Sequence, residues 1–304
     1  MVPFLKQVVD HYYNGGNIDR RCFVFPNRRS MVFFNKYLSE AVRDSCVLSR
    51  PILAPEMLTI NDLFHKVGGV RPVDRVRLMI ELYESYRKCN PKAEPLDEFI
   101  FWGDVILADF NDIDKYLVDP GQLFANISDL KQIQDTYSYL TETQRKAIEA
   151  FVRHFSDLSG RLTVNLDAEH PDVKGRFLMI WNILYDLYRT FNETLAEKGY
   201  SYEGMVYRKL AERLKTESIE DVSGNLWSND TVFVFVGLNA LNECEKTLLR
   251  KLRDAGRAEF CWDYSGELIS DKKNRSSVFM SENVVEFPQV ARWDTACRFL
   301  KSIL

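Results

Sequence analysis

Two adjacent arginines, Arg28 and Arg29, follow Pro26 and Asn27 directly after the apolar run Cys22-Phe23-Val24-Phe25. Guanidinium groups carry permanent charge and forked donors that match phosphate oxygens. In a parallel α/β sheet, ligands bind outside the carboxyl ends of the strands. A helix starting there presents free N–H groups and the positive end of its dipole to anions. The chemistry on offer is phosphate recognition. Its plain rival is a solvated helix start with surface arginines, and the position at a strand end favours recognition.

Other chemistries fail at the residue level. A phosphate-cradling loop reads GxxxxGK[ST] after a strand. Here Lys246-Thr247 follows Glu245, and Gly237 stands nine residues before the lysine. The acidic pair that would hold Mg²⁺ after a buried strand is replaced by Gly237-Leu238-Asn239 after Val232–Val236. Nuclease chemistry needs carboxylates sharing a metal, yet Pro171-Asp172 is the sole Pro-Asp and no (D/E)xK follows at the required distance. Asp104, Asp109, Asp112, Asp114 and Asp119 form the densest carboxylate group. Asp112-x-Asp114 runs on into Tyr116 and Leu117, which no calcium loop tolerates, so the run reads as a solvated face. His11, His65, His154 and His170 have no partner one helical turn away, and His65 and His154 read as packing residues. There is no GxSxG elbow. The six cysteines (22, 46, 89, 244, 261 and 297) lie far apart without CxxC, as expected of reduced thiols in a cytoplasmic protein. No catalytic residue, cofactor or metal is assigned.

These residues need a frame to hold them. With 304 residues, 46% apolar, 28% charged, 14 Gly and 10 Pro, the chain has an ordinary folded composition, long enough for two domains or one with a large insertion. No run of about 18 apolar residues exists to cross a membrane, and the charged N-terminus does not read as a secretory signal. Net charge is 40 − 44 = −4, which argues against an indiscriminate nucleic-acid coat. Its distribution is uneven: residues 1–50 hold eight Lys/Arg against four Asp/Glu, and residues 101–150 hold four against nine. That is compatible with one phosphate-facing surface, and equally with two halves that pair with each other.

Strand signals sit at the two ends. Cys22–Phe25, Val232–Val236 and Ala258–Trp262 read as buried strands, with Val284–Phe287 as a further one. Helical spacing follows the first strand to about Val42 through Val32, Phe33, Tyr37, Leu38 and Ala41, and another helix starts near Asn242. A closing helix is expected over Ala291–Ile303. From about Pro72 to Leu214 the periodicity is helical throughout, including a capping box at Thr141-x-x-Gln144. The stretch Thr216–Asn229 reads as a loop. Trp102, Trp181, Tyr188 and Tyr83 fall at core spacing, leaving Trp227 and Trp293 for contact with a partner. The pattern is an α/β domain, residues 1–70 plus 226–304, interrupted by an all-α insertion over 71–225.

Several segments together carry a family resemblance. Phe23-Val24-Phe25-Pro26-Asn27-Arg28-Arg29-Ser30 with Phe33-Phe34-x-x-Tyr37-Leu38 resembles the opening of AddB-type proteins, the helicase-like and nuclease subunits of bacterial double-strand-break repair complexes. Pro55-Glu56-Met57-Leu58-Thr59-Ile60-Asn61-Asp62-Leu63 is similar to that family's next segment, a DNA-contacting motif of superfamily 1 helicases. Phe101-Trp102-Gly103, Leu107 through Leu117, Tyr202-Glu203-Gly204-Met205-Val206-Tyr207 and Phe235 through Leu241 resemble its Bacteroidetes branch, in the family's order. The resemblance implies a RecA-like (P-loop NTPase-like) parallel-sheet domain with a helical insertion, inactivated as a helicase. It implies DNA, single-stranded or at a duplex end, and a helicase–nuclease partner subunit. It places Pro26, Asn27, Arg28, Arg29, Thr59, Asn61 and Asp62 on the DNA-facing edge. The family's PD-(D/E)XK nuclease, which carries the exonuclease activity, is not in these residues, so an N-terminal fragment is expected. A protein-docking scaffold without DNA contact is the alternative.

Overall fold

Every residue of Cys22–Phe25 is fully buried, so the strand that holds them, β1 (Arg21–Phe25), needs a neighbour on each edge and helices on both faces. It has both neighbours. β1 pairs in parallel with β2 (Glu56–Thr59) on one edge and with β3 (Val232–Val236) on the other, and β3 pairs in parallel with β4 (Ala258–Cys261). The protein is therefore of the mixed α/β class, with a four-stranded parallel sheet in the order β2-β1-β3-β4. The computed structural model describes residues 2–16, 18–44, 53–91, 93–124, 171–264 and 276–291, with residues 269, 273 and 293 besides. The chain divides into two units, Met1–Val70 with Lys209–Leu304, and Arg71–Arg208.

In the sheet unit, alternation along the strands sends Phe23, Phe25, Val234, Val236 and Cys261 to one face. There α1 (Phe4–Asn14) buries Phe4, Val8, Val9 and Tyr12, and α2 (Arg28–Asp44) buries Phe34 and Leu38. On the opposite face Phe235 stacks on Phe260 at 5.6 Å and Phe260 meets Phe287 at 5.1 Å. α3 (Ile60–Gly68) reaches that face through Lys66, which sits over the ring of Trp227, itself edge-on to Phe233.

In the helical unit, α4 (Arg75–Cys89), α5 (Leu96–Lys115) and α6 (Pro171–Glu197) share a core that includes Leu82, Phe99, Phe110, Phe191 and Leu195. A buried carboxylate ties the end of α5 to its neighbours. Asp114, 1% exposed, accepts hydrogen bonds from the Tyr188 hydroxyl at 2.5 Å, from the Tyr202 hydroxyl, and from Arg208 Nε at 2.6 Å. Asp114 is thus no part of a solvated face, unlike the rest of the acidic run read from sequence. The chain leaves this unit within α7 (Glu203–Thr216), at Arg208, earlier than residue 225. The reason lies in the stretch expected to be a loop: α8 (Ile219–Ser223), capped by Ser218, packs on α3, and Trp227 packs on the sheet.

Two elements differ from the sequence pattern. Val284–Phe287 is not a strand: it closes helix α10 (Ser276–Glu286), preceded in the chain by α9 (Glu243–Asp254). Ser277, Met280, Asn283 and Phe287 are the buried positions there, a helical spacing, while Val285 is 82% exposed. β2, with no strand signal of its own, is extended because it pairs with β1. The Thr141–Gln144 capping box, His154 and His170, the side chain of Trp181 and, save residues 291 and 293, the closing helix lie outside the described residues. Among the described residues, Cys22, Cys89, Cys244 and Cys261 form no disulfide.

Candidate nucleic-acid interface

Parallel pairing sets Phe25 opposite Thr59, so the helices that follow β1 and β2 begin at the same edge of the sheet. Between β1 and α2 there are only Pro26 and Asn27. Proline fixes its own φ and has no N–H to satisfy, which suits a sharp exit from the strand. Asn27 then caps α2: its Oδ1 accepts from the Ser30 N–H at 3.0 Å and from the Ser30 hydroxyl at 3.3 Å. A phosphate-wrapping loop needs several residues between strand and helix, and this connection is too short to form one. Arg28 and Arg29 occupy the first two helical positions, both exposed.

The second segment is organised by a capping box. The Thr59 hydroxyl accepts from the Asp62 N–H at 3.1 Å and donates to Asp62 Oδ2 at 2.7 Å, and that oxygen also accepts the Thr59 N–H at 3.2 Å. Burial by itself would raise the Asp62 carboxyl. The two bonds from Thr59, with Arg28 and His65 nearby, bring it net below its ordinary value. The two segments meet where α2 packs against β2, next to the paired ends of β1 and β2. Asn61 is half-buried on the first turn of α3.

All seven sequence-derived site residues therefore gather at one sheet edge, but they divide by role. Asn27, Thr59 and Asp62 spend their polar groups on the helix starts. Arg28 and Arg29 present exposed cationic donors to solvent.

The third strand end completes the edge. β1 leads to β2 on one side and β3 leads to β4 on the other, so β1 and β3 flank the point where the winding reverses, the usual place for a ligand in such a sheet. After β3 the chain turns at Gly237, whose φ of 66° favours glycine and whose added Cβ would stand 3.5 Å from the Phe4 ring. Leu238 is buried. The carbonyl of Asn239 accepts from Asn283 Nδ2 at 2.8 Å, and that of Leu238 accepts from the Tyr264 hydroxyl at 3.1 Å. This strand end is braced by backbone and amide groups, with no carboxylate at Gly237, Leu238 or Asn239.

The two tryptophans expected to contact a partner also pack within the chain and are partly buried. Trp227 donates to Glu56 Oε2 at 2.5 Å beneath Lys66, and Trp293 lies edge-on to Phe4 and His11. What sequence reasoning passed over is the outer side of α2. Val32 and Phe33, which fall at helical spacing with the core residues, are 68% and 44% exposed, and the buried stripe runs through Phe34 and Leu38. The signal was available in the interleaving of Arg29, Phe33 and Lys36 at steps of four and three residues, which aligns cations with an aromatic on one helix face. Among the described residues no group of three or more His, Cys, Asp or Glu is placed to hold a metal ion, and no helix is long and apolar enough to cross a membrane. The sequence matches no protein-family model and no curated protein.

Proposed function

We propose that this chain is a non-catalytic, helicase-like DNA-binding and scaffold module of an AddB-like double-strand-break repair helicase–nuclease. In this reading the sheet unit is RecA-like, the helical unit is the insertion of a helicase 1A domain, and the protein works in the cytoplasm beside a partner subunit. The observation that carries the reading is the exposed pair Arg28 and Arg29 at a helix start beside the sheet's reversal point. Backbone phosphates are the ligand such a pair suits, because two forked cations contact phosphate oxygens without reading sequence. The two-residue connection between β1 and α2 favours a polyanion lying across the edge over a nucleotide held within it. The ordered resemblance of the segments around residues 23–38 and 55–63 supports the family.

A docking scaffold that binds a helicase or nuclease partner without DNA is the second reading. It is favoured by the carboxylate of Asp62 standing near Arg28, which partly offsets the positive edge.

Fluorescence anisotropy of the 304-residue chain with single-stranded and end-containing duplex probes at two salt concentrations separates the two. DNA binding that weakens steeply with salt is expected. Replacing Arg28 and Arg29 with alanine together should weaken it and flatten the log–log salt slope by about 1.4 to 1.8, for two phosphate contacts. No binding at low salt by the folded protein would leave the docking scaffold.

A further inference from the structure

The outer face of α2 carries two apolar side chains that the core does not use. Phe34 and Leu38 face the sheet, with Met31, Tyr37, Ala41 and Val42 packed partly against the same core. Val32 and Phe33 point away from it, 68% and 44% exposed. A lone exposed apolar residue needs no explanation, but this one is framed by charge. Arg29 lies one turn before Phe33 and Lys36 one turn after it, and both cations are exposed. Lys36 has only a loose 3.9 Å pairing with Glu40, at 62% side-chain exposure. Arg28 and Arg29 continue the same strip to the sheet edge described above.

From this arrangement we infer that α2 is a stacking platform for unpaired nucleotides, with Phe33 taking a base face and Arg29 and Lys36 the phosphates on either side. The inference rests on the proposed DNA-binding reading and adds to it a contact residue, Phe33, and a preference for single strands. Charge complementarity selects a polyanion. The shape of the patch selects a nucleic acid over an acidic helix, because a helical partner needs an apolar seam repeated over several turns, and here the apolar residues are confined to one turn between cations. Bases in a duplex already stack on each other, whereas unpaired bases stack on aromatic side chains without regard to sequence.

The test uses the full chain with a fluorescein-labelled oligothymidylate and with a blunt duplex of equal length. Phe33→Ala is expected to weaken oligothymidylate binding about tenfold, within the usual range for one stacked base, and to leave duplex binding unchanged. Its salt slope should match the wild type, since no phosphate contact is lost. Phe33→Trp should bind oligothymidylate at least as well as the wild type, with quenching of the indole emission on addition of the oligomer. Equal binding of both probes by Phe33→Ala and wild type, with loss only in the Arg28→Ala/Arg29→Ala protein, would overturn the platform and keep the DNA-binding module. Absence of DNA binding by the wild type, with capture of a polyglutamate peptide that Phe33→Ala abolishes, would overturn both and assign the face to an acidic protein segment.

Discussion

At the scale of single residues, the candidate edge shows how polar groups are shared between folding and recognition. Asp62 gives its Oδ2 to Thr59, accepting both the Thr59 N–H and the Thr59 hydroxyl. Its work is to hold the start of α3, and its pH dependence follows. The folded-state carboxyl lies below its unfolded value, so the stabilisation is present above the unfolded value, near pH 4, and is lost as pH falls through the folded one. Asp62→Ala should therefore cost about 1 kcal/mol at neutral pH, the usual worth of a helix-start cap. The gap between wild type and variant should close as urea melts are taken to lower pH. A gap that stays constant would mean the ionised carboxylate is not its source.

At the scale of elements, close approach of backbones fixes the helical unit as firmly as its apolar core. Gly204, on the first turn of α7, donates its N–H to Asn111 Oδ1 at 2.7 Å. A Cβ added there would stand 2.5 Å from the Asn111 carbonyl oxygen and 2.9 Å from its Cα, both backbone atoms of α5. Nothing flexible can give way, so Gly204→Ala should destabilise the protein by about 1–3 kcal/mol, the range for overpacking a filled site. Because the glycine adjoins Asp114, the displacement would also strain the bonds from Tyr188, Tyr202 and Arg208. A thermal melt unchanged from wild type would show that α5 and α7 can part without loss. Gly103→Ala offers the contrast, since the atoms nearest its added Cβ, 2.6 Å and 2.9 Å away, belong to the side chains of Phe99 and Met79.

At the scale of the whole molecule, the sheet is assembled from chain segments on both sides of the helical unit. Cys22 pairs with Glu56 and also with Phe233, so the strand between them belongs to the first seventy residues while its partner comes after the insertion. β1 and β3 are the two interior strands, and each has four buried residues. A specific protease site introduced after Val70 should therefore leave the first fragment bound to the rest after cleavage, eluting as one species on gel filtration. Separation of the fragments in native buffer would mean that the β1–β3 pairing does not hold without chain continuity.

How much of this was legible beforehand depends on whether the signal was local. Burial on both faces writes itself into a strand as an unbroken apolar run, and β1 and β3 carry such runs, as the helices of the insertion carry their periodicity. Asn27 and Arg28 were visible because a strand end and a helix start are adjacent in the chain. β2 was not visible, because Glu56-Met57-Leu58-Thr59 is only partly buried and is extended by pairing rather than by composition. Val284–Phe287 misled because its β-branched pair outweighs the sparse helical spacing that Asn283 and Phe287 complete only when they meet Asn239, Tyr264 and Phe260. The sequence by itself determined the class of fold, the existence of an inserted helical unit and the phosphate-suited chemistry of Arg28 and Arg29. Only the tertiary structure decided that Asp114 is buried rather than solvated. It also decided that Phe33 faces outward among cations. Each of those outcomes is set by groups distant in the chain or by which side of a helix meets the core, and neither is encoded in the order of neighbouring residues.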